Sequence, residues 1–568
     1  MSNPDPVARE ARKAPRHSAG KEPSPKSVKK AQARLQRRWP RRALIATNIL
    51  AALCIVAMAS AYAYVKLKIG SLATLPSPSA TPPGDLVGGE SAGNASTDGL
   101  HPENILLIGN QTRQGLTPQE QQQFGSSVIL SGSLADIMMV LHLDPATDTA
   151  SILSIPRDLF APMPAGSPVG SFQKMDAALN DGKLGPNNLM KAVQDDLGIP
   201  INHFVELNFN GFINTVNALG GIKVDFPEPV WDPESLLYVP NPGCIALDGF
   251  RALELVRARH LRYEPKGEHV PRYEWPQEAQ SDLARIARTH TFLKIVADTA
   301  KAKGLTNPVT ANSFLDAVIG QMTVDAPLKN ELLTLVLHYR HVNVGNIKET
   351  TLPATGVANY YYGGYGMGDV LFPVQPADNN VIRAWDPSAF PKPVAPKSVS
   401  VVDIAGSYDA AVSAGQALAS QGLPVSSETV GAEPSSTTAT WVLYHSLPDQ
   451  ARALYVMKYI SGSVMMQLDP TVPAGTVQVE LGSVASVAAR ATVSTTTATT
   501  SAPASTGTTA SSTSSTSTTS AVSRSSATRA TAGSQAATTT TVPTPAGAPV
   551  SSSQDQVQPW DPRACAAS

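Results

Sequence analysis

Cysteine is scarce: the chain has three in 568 residues. None stands in a Cys-x-x-Cys pair or in a Cys/His set with metal spacing, which argues against a structural zinc site and a thioredoxin-like redox motif. Cys54 falls inside a long apolar run. Cys244 and Cys565 stand about 320 residues apart, and the sequence leaves open whether they pair. Nucleophile chemistry is poorly supplied as well. No Gly-x-Ser-x-Gly string sits at a strand–helix junction, and Cys244, in PNPGCIALDG, has no evident base beside it. His142, His203, His260 and His290 are scattered, the pattern of structural or surface histidines; of these only His260 adjoins a charged motif, an Arg-x-Arg pair.

Charge is thin and uneven. Only 16% of residues are charged against 42% hydrophobic, and the net charge is -1. Residues 1–42 carry 13 Lys or Arg against 3 Asp or Glu, so the rest of the chain is at -11. The average therefore says little about partners. One long hydrophobic run exists, Ala43 to Val65, with 23 residues and no formal charge. A bilayer core needs about 20. A cleaved signal would have an apolar region of about 7–15 residues and a shorter leader. Tyr62 and Tyr64 suit an interfacial belt, and Lys66 and Lys68 can snorkel. The run is read as a single membrane span. The basic side faces the cytoplasm, so everything after residue 70 lies outside the plasma membrane. The arm 1–42 is expected to be disordered, with inner-leaflet phospholipid a cheaper partner than nucleic acid.

Beyond the span, residues 66–100 read as a Pro/Gly/Ser linker. From His101 the pattern turns globular. NILLIG, IMMVLHLD and TASILSI are apolar runs that read as strands, the last two joined by a PATD turn. NNLMKAVQDDLGI places Leu189, Val193 and Leu197 at helical spacing, ending near Gly198. HFVELNF alternates as a strand, GFINTVNALGG reads as a helix, and IKVDFP as a further strand. LDGFRALELVRARH and SDLARIARTHTFLKIVADTAKA are helical in period. The expectation is an α/β fold, an α-β-α sandwich with a mixed central sheet and covering helices, over 101–373. Residues 309–373 are expected to continue with helical segments. A Pro-rich linker over 374–396 leads to a second small α/β domain at 397–487. Residues 488–568, rich in Ser, Thr and Ala, are read as a disordered tail.

Charged residues recur at element ends: Arg113 after the first strand, Asp136 opening DIMMV, Arg157 and Asp158 closing the third strand, and Lys174 in QKMDAAL. Arg257 and Arg259 form RAR, and Asp282 with Arg285 forms DLAR. Each has a bland reading. Arg157–Asp158 suits a surface ion pair. Arg-x-Arg on a helix would diverge by about 200° into solvent, whereas on a strand both would share one face. DLAR suits an i, i+3 helix pair.

Taken in order, NILLIGxxxR, DIMMVLHLDP, SIPRDL, KMDAAL, INHFVELNFNGFINTVNALGGIKVDFP, LDGFRALELVRARH and SDLARIAR resemble the catalytic domain of the LytR–CpsA–Psr family over about residues 101–300. Residues 397–487 resemble the LytR C-terminal domain, with VVDIAG in place of its usual Asn-Gly turn. The resemblance implies an extracytoplasmic phosphotransferase that moves a glycopolymer from a polyprenyl-pyrophosphate carrier to a peptidoglycan hydroxyl. It implies that Arg157, Arg257, Arg259 and Arg285 grip the pyrophosphate, as planar guanidiniums bind phosphate oxygens bidentately. Arg113, Asp158 and Lys174 are further substrate-side candidates. Asp136 would hold Mg²⁺ (or Mn²⁺), and Asp282 would position an arginine or act as base. Capsular chains, teichoic acids and arabinogalactan all travel on such carriers.

Five departures stand out. Gln111 replaces the family's second metal-binding aspartate, which removes a charge. Thr289 stands where Gln is common, and Asp176 where Asn is usual. The stretch between Arg259 and Asp282 is long, a lid or a surface loop. The segment between Arg113 and Asp136 is long too, and its Glu120 is a candidate to substitute for the missing acid. Two other readings therefore stand beside the transferase: a non-catalytic holder of lipid-linked intermediates, and a membrane-bound regulator. The arm 1–42 is too short for a DNA-reading fold.

Overall fold

The computed structural model describes residues 59–75, 101–303, 322–487 and 558–565, apart from short runs within those ranges. Two compact units divide between Ser71 and Leu72. In the first, residues 59–60, 62–64 and 66–70 are helical. The rest of the predicted span 43–65 lies outside the described residues, as does the arm 1–42. Among the described residues no helix is long and apolar enough to cross a membrane.

The second unit is built on a mixed seven-stranded sheet. Its strands are β1 (Ala73–Leu75), β2 (Glu103–Asn110), β3 (Ala135–Asp144), β4 (Thr149–Ser154), β7 (His203–Asn208), β10 (Met322–Asp325) and β11 (Lys348–Thr351). They lie in the order β1-β10-β7-β2-β3-β4-β11. A small hairpin, β5 (Phe160–Pro162) with β6 (Phe172–Lys174), follows β4. Strands β8 (Ile222–Phe226) and β9 (Gly243–Leu247) pair antiparallel beside the sheet. The apolar runs become the central strands because both of their faces are covered: Leu106, Val140 and Leu153 are all fully buried. Five helices matter here. They are α1 (Gly185–Leu197), α2 (Phe209–Ala218), α3 (Gly249–Arg257), α4 (Ser281–Ala302) and α5 (Ala326–Tyr339). Helix α1 buries Leu189, Val193 and Leu197, the predicted stripe, and stops at Gly198 with φ 71°.

The smaller domain has a five-stranded sheet in the order β15-β14-β18-β16-β17. These are β14 (Ser398–Asp403), β15 (Val425–Val430), β16 (Thr440–Tyr444), β17 (Val464–Leu468) and β18 (Thr476–Leu481). It shares one continuous hydrophobic core with the larger domain. Tyr444 Oη donates to the Asp195 carbonyl at 2.9 Å, and Gln450 Nε2 to the Gln194 carbonyl at 2.8 Å.

Four sequence expectations need correction. Residues 374–396 are not a bare linker: Ala377–Trp385 is helix α6, with Ile382 and Trp385 buried. Residues 348–373 are strand rather than helix, because β11 is followed by the hairpin β12 (Ala354–Tyr362) and β13 (Tyr365–Pro373). Alternation is present there, but the helical period of the preceding segment masks it. The linker 66–100 contains β1, an edge strand paired with β10. The tail is not disordered throughout: Arg563–Ala564 is strand β19, paired with β8, and Cys565 is bonded to Cys244. Trp560 stacks on Tyr263 with ring centroids 4.0 Å apart.

Candidate functional site

The site forms where β2 and β4 end and β3 begins. The two antiparallel pairings, β2 with β3 and β3 with β4, bring Asn110, Asp136 and the segment after Ser154 to one edge. Arg157 Nη1 donates to Asp136 Oδ1, and its Nε lies 3.6 Å from Asp158 Oδ2. Asp158 is 4% exposed, so the bland reading of a surface pair fails. It accepts from Lys174 Nζ at 2.9 Å and from Arg259 Nη2 at 2.7 Å. Burial alone would raise its pKa. The positive charges of Arg157, Arg259 and Lys174 outweigh that and hold it below the usual carboxylate range.

The Arg-x-Arg question resolves at a helix end. Helix α3 stops at Arg257, and Ala258 is extended at φ −60°, ψ 118°. The two arginines therefore converge instead of diverging around a helix. Arg257 lies over the Phe209 ring, 4.9 Å to the centroid. Its pKa is lowered by burial, with Asp136 opposing and the charges of Arg113 and Arg157 adding to the effect. Arg113 thus shares this field. Arg285 is 4% exposed and donates to the Asp136 carbonyl at 2.6 Å, so it faces the site and not solvent. Asp282 opens α4 one turn before Arg285, and its side chain lies outside the described residues, as does Glu120. Gln111 donates its backbone N–H to Leu134 O at 3.2 Å, two residues from Asp136.

Several residues behind this cluster escape a reading of the sequence. Arg288, 3% exposed, forms a bidentate pair with Glu278 (2.5 and 2.9 Å) and donates to the Ala258 carbonyl, fixing the peptide between Arg257 and Arg259. Asp232, fully buried, accepts from the backbone N–H of His260 at 2.7 Å. The RIAR spacing, Arg285 to Arg288, is the available signal for the first; nothing local marks the second. Asp176, a departure from the family pattern, is buried beside Arg157. Burial pushes it up to about 7, with Arg157 opposing and Asp158 and Asp136 reinforcing. Asn110 Nδ2 donates to Glu206, whose pKa burial also raises.

Three of the four histidines behave as structural groups. His290 Nε2 lies 2.6 Å from Ser154 Oγ, and burial with Lys294 nearby lowers it to about 4. His142 bonds Asn104 at 2.8 Å, and His260 faces Glu234 at 3.1 Å. Cys244, being disulfide-bonded, is no nucleophile.

Below the charged cluster a cavity of about 220 Å³ runs between the central sheet and helices α2, α3 and α4. Val205, Leu207, Phe209, Leu253, Phe292 and Met322 line it, and its polar contributors include Asn110, Asp136, Arg257 and Arg285. Thr289 lines it as well, its hydroxyl donating to Arg285 O at 2.9 Å, so the shorter side chain leaves room that Gln would take. Chemically, this is a cationic cluster threaded with the carboxylates of Asp136, Asp158 and Asp176 and set over a greasy slot, a shape suited to an anionic head on an apolar chain.

Residues 89–368 match the LytR_cpsA_psr family. The probable cell wall biosynthesis protein LcpB of Corynebacterium glutamicum is 31% identical over 268 residues, 47% of this chain and 58% of that protein. The polyisoprenyl-teichoic acid–peptidoglycan teichoic acid transferase TagV of Bacillus subtilis is 36% identical over 129 residues, 22% of this chain and 32% of that protein. A LytR-Csp2A-Psr enzyme from Actinomyces oris aligns in structure at 23% identity and TM-score 0.38, over 53% of this chain and 92% of that one. The chain thus spans little more than half the length of the first of these curated relatives.

Proposed function

Because residues 89–368 carry a LytR–CpsA–Psr family domain, we propose that the protein is a membrane-anchored phosphotransferase that attaches a glycopolymer from a polyprenyl-pyrophosphate carrier to peptidoglycan. The observation that carries this reading is the convergence of Arg157, Arg257 and Arg285 on Asp136 at an apolar cavity. The diphosphate sits among the guanidiniums, with Arg259 and Lys174 held in place by Asp158, and the prenyl chain enters the cavity. An acceptor hydroxyl attacks the sugar-linked phosphorus; the bond from that phosphorus to the bridging oxygen breaks, and polyprenyl phosphate leaves. Asp282 is the base this reading assigns to the hydroxyl proton. The arginines hold the leaving phosphate's growing charge, the largest contribution such a site can make.

A divalent ion, Mg²⁺ or Mn²⁺, fits the residues only together with substrate oxygens. Asp136 offers one carboxylate, already engaged by Arg157, and Gln111 an uncharged amide oxygen. When bound, the ion would neutralise phosphate charge. The span at 43–65 would anchor the chain, and the Cys244–Cys565 disulfide accords with an extracytoplasmic compartment. The first test mixes full-length protein in detergent with a polyprenyl-pyrophosphate glycan and a peptidoglycan fragment, and follows the phosphodiester by mass spectrometry. Product lost in Arg157→Ala supports transfer. Gln111 favours a second reading, a holder of lipid-linked intermediates. Binding without product, with turnover appearing in Gln111→Asp, would select it.

A further inference from the structure

A second cluster lies at the opposite end of the central sheet. Glu103 opens β2, His203 opens β7, and Asp325 closes β10 where α5 begins. Glu331 stands on the second turn of α5. Strands β2 and β7 run parallel. Glu103 is therefore seven residues from Asn110, about 23 Å along the strand and well away from the arginine cluster.

His203 is 6% exposed, and its ring is fixed from one side. Asp325 accepts backbone N–H bonds from Phe204 and Leu328, both at 3.0 Å, one on each oxygen, and lies 2.8 Å from His203 Nδ1. A carboxylate so engaged takes Nδ1–H as a donor, which leaves the Nε2 lone pair on the other side of the ring. That nitrogen lies 3.8 Å from Glu103 Oε2, beyond hydrogen-bond reach. Glu103 Oε2 is itself buried with no hydrogen-bond partner among the described residues. Ligand atoms of Glu103, His203 and Glu331 all lie within 4.8 Å of one another. Two carboxylates and one imidazole nitrogen therefore face one another.

We propose that Glu103, His203 and Glu331 form a binding site for a divalent transition-metal ion of the zinc type, with Asp325 as the positioning residue behind the histidine. One imidazole nitrogen and two carboxylate oxygens are ligands that Zn²⁺ accepts, and a carboxylate on the far ring nitrogen is what orients metal-bound histidines. Ligand atoms around tetrahedral zinc lie about 3.3 Å apart, given bonds of about 2.0–2.1 Å. Glu331 is exposed and closes the remaining distance by rotating its side chain. The ion would tie β2 and β7 to α5. Strands β7 and β10 supply Val205, Leu207 and Met322 to the cavity wall, so the site braces that wall from behind.

The test strips full-length protein in detergent with a chelator and titrates it with Zn²⁺, by calorimetry and by thermal melt. Wild type and Asp136→Asn should each bind one equivalent and melt higher. Glu331→Ala, a change at an exposed position that leaves the fold intact, should weaken binding at least tenfold, and His203→Gln should abolish it. No saturable Zn²⁺ binding overturns the proposal. So does binding that is lost in Asp136→Asn yet unchanged in Glu331→Ala, or an equivalent that Mg²⁺ takes with equal affinity.

Discussion

Asp158→Asn isolates the counter-charge beneath the arginine cluster. The substitution keeps the shape and removes one negative charge from a group with 6% side-chain exposure that receives two charge-assisted bonds. Such bonds contribute about 1.5–3 kcal/mol each. Lys174 and Arg259 keep side-chain exposures of 25% and 29%, and the Asn carbonyl still accepts one bond, so solvent returns part of the loss. The expected cost at pH 7 is about 2–3 kcal/mol, read as a Tm lower by roughly 4–6 °C. Its pH dependence follows from the lowered pKa. The stabilisation is complete above the unfolded value of 3.8 and is lost only as pH falls through the folded value beneath it. The deficit should therefore be the same at pH 7 and pH 5 and shrink in stronger acid. Inorganic pyrophosphate should raise the Tm of the variant more than that of wild type, because the uncompensated cations gain a counter-ion. A variant within 0.5 kcal/mol of wild type at pH 7, or one that pyrophosphate rescues no better, would refute the assigned role.

Asp176→Asn should stabilise the fold increasingly from about pH 4 to pH 7 and then plateau, because the raised folded pKa makes wild type lose stability over that window; urea melts across pH measure the slope, and a flat difference sinks the assignment. Arg288→Met leaves Glu278 buried and unpaired and frees the Ala258 carbonyl, so about 3–5 kcal/mol should be lost, readable by denaturant melts against wild type. Leu253→Trp should fill the 220 Å³ cavity and weaken polyprenyl-diphosphate binding while sparing pyrophosphate binding; equal loss of both would place the prenyl chain elsewhere. A protease site inserted at position 520 should yield a fragment that stays attached on a non-reducing gel and separates with reductant, since Cys565 is bonded to Cys244.

Much of this molecule is legible in one dimension. Hydrophobic period alone marks β2, β3, β4, α1 and α2, because each buries its apolar positions in a regular element whose period is local. The order of the charged motifs supplies Arg157, Arg257, Arg259, Arg285 and Asp136, and the structure brings these together. What sequence could not supply depends on where chain segments meet. Arg257 and Arg259 converge because α3 ends between them and Arg288, from another helix, pins the intervening peptide. The Pro-rich stretch 374–396 folds as helix α6 because a core from two domains receives Ile382 and Trp385. The C-terminal cysteine finds Cys244 across 321 residues because β19 adds to the edge of β8. Composition and spacing determine which residues carry charge and which hide from water; only tertiary packing decides which charges share a cavity, since that distance is set by contacts with no sequence period.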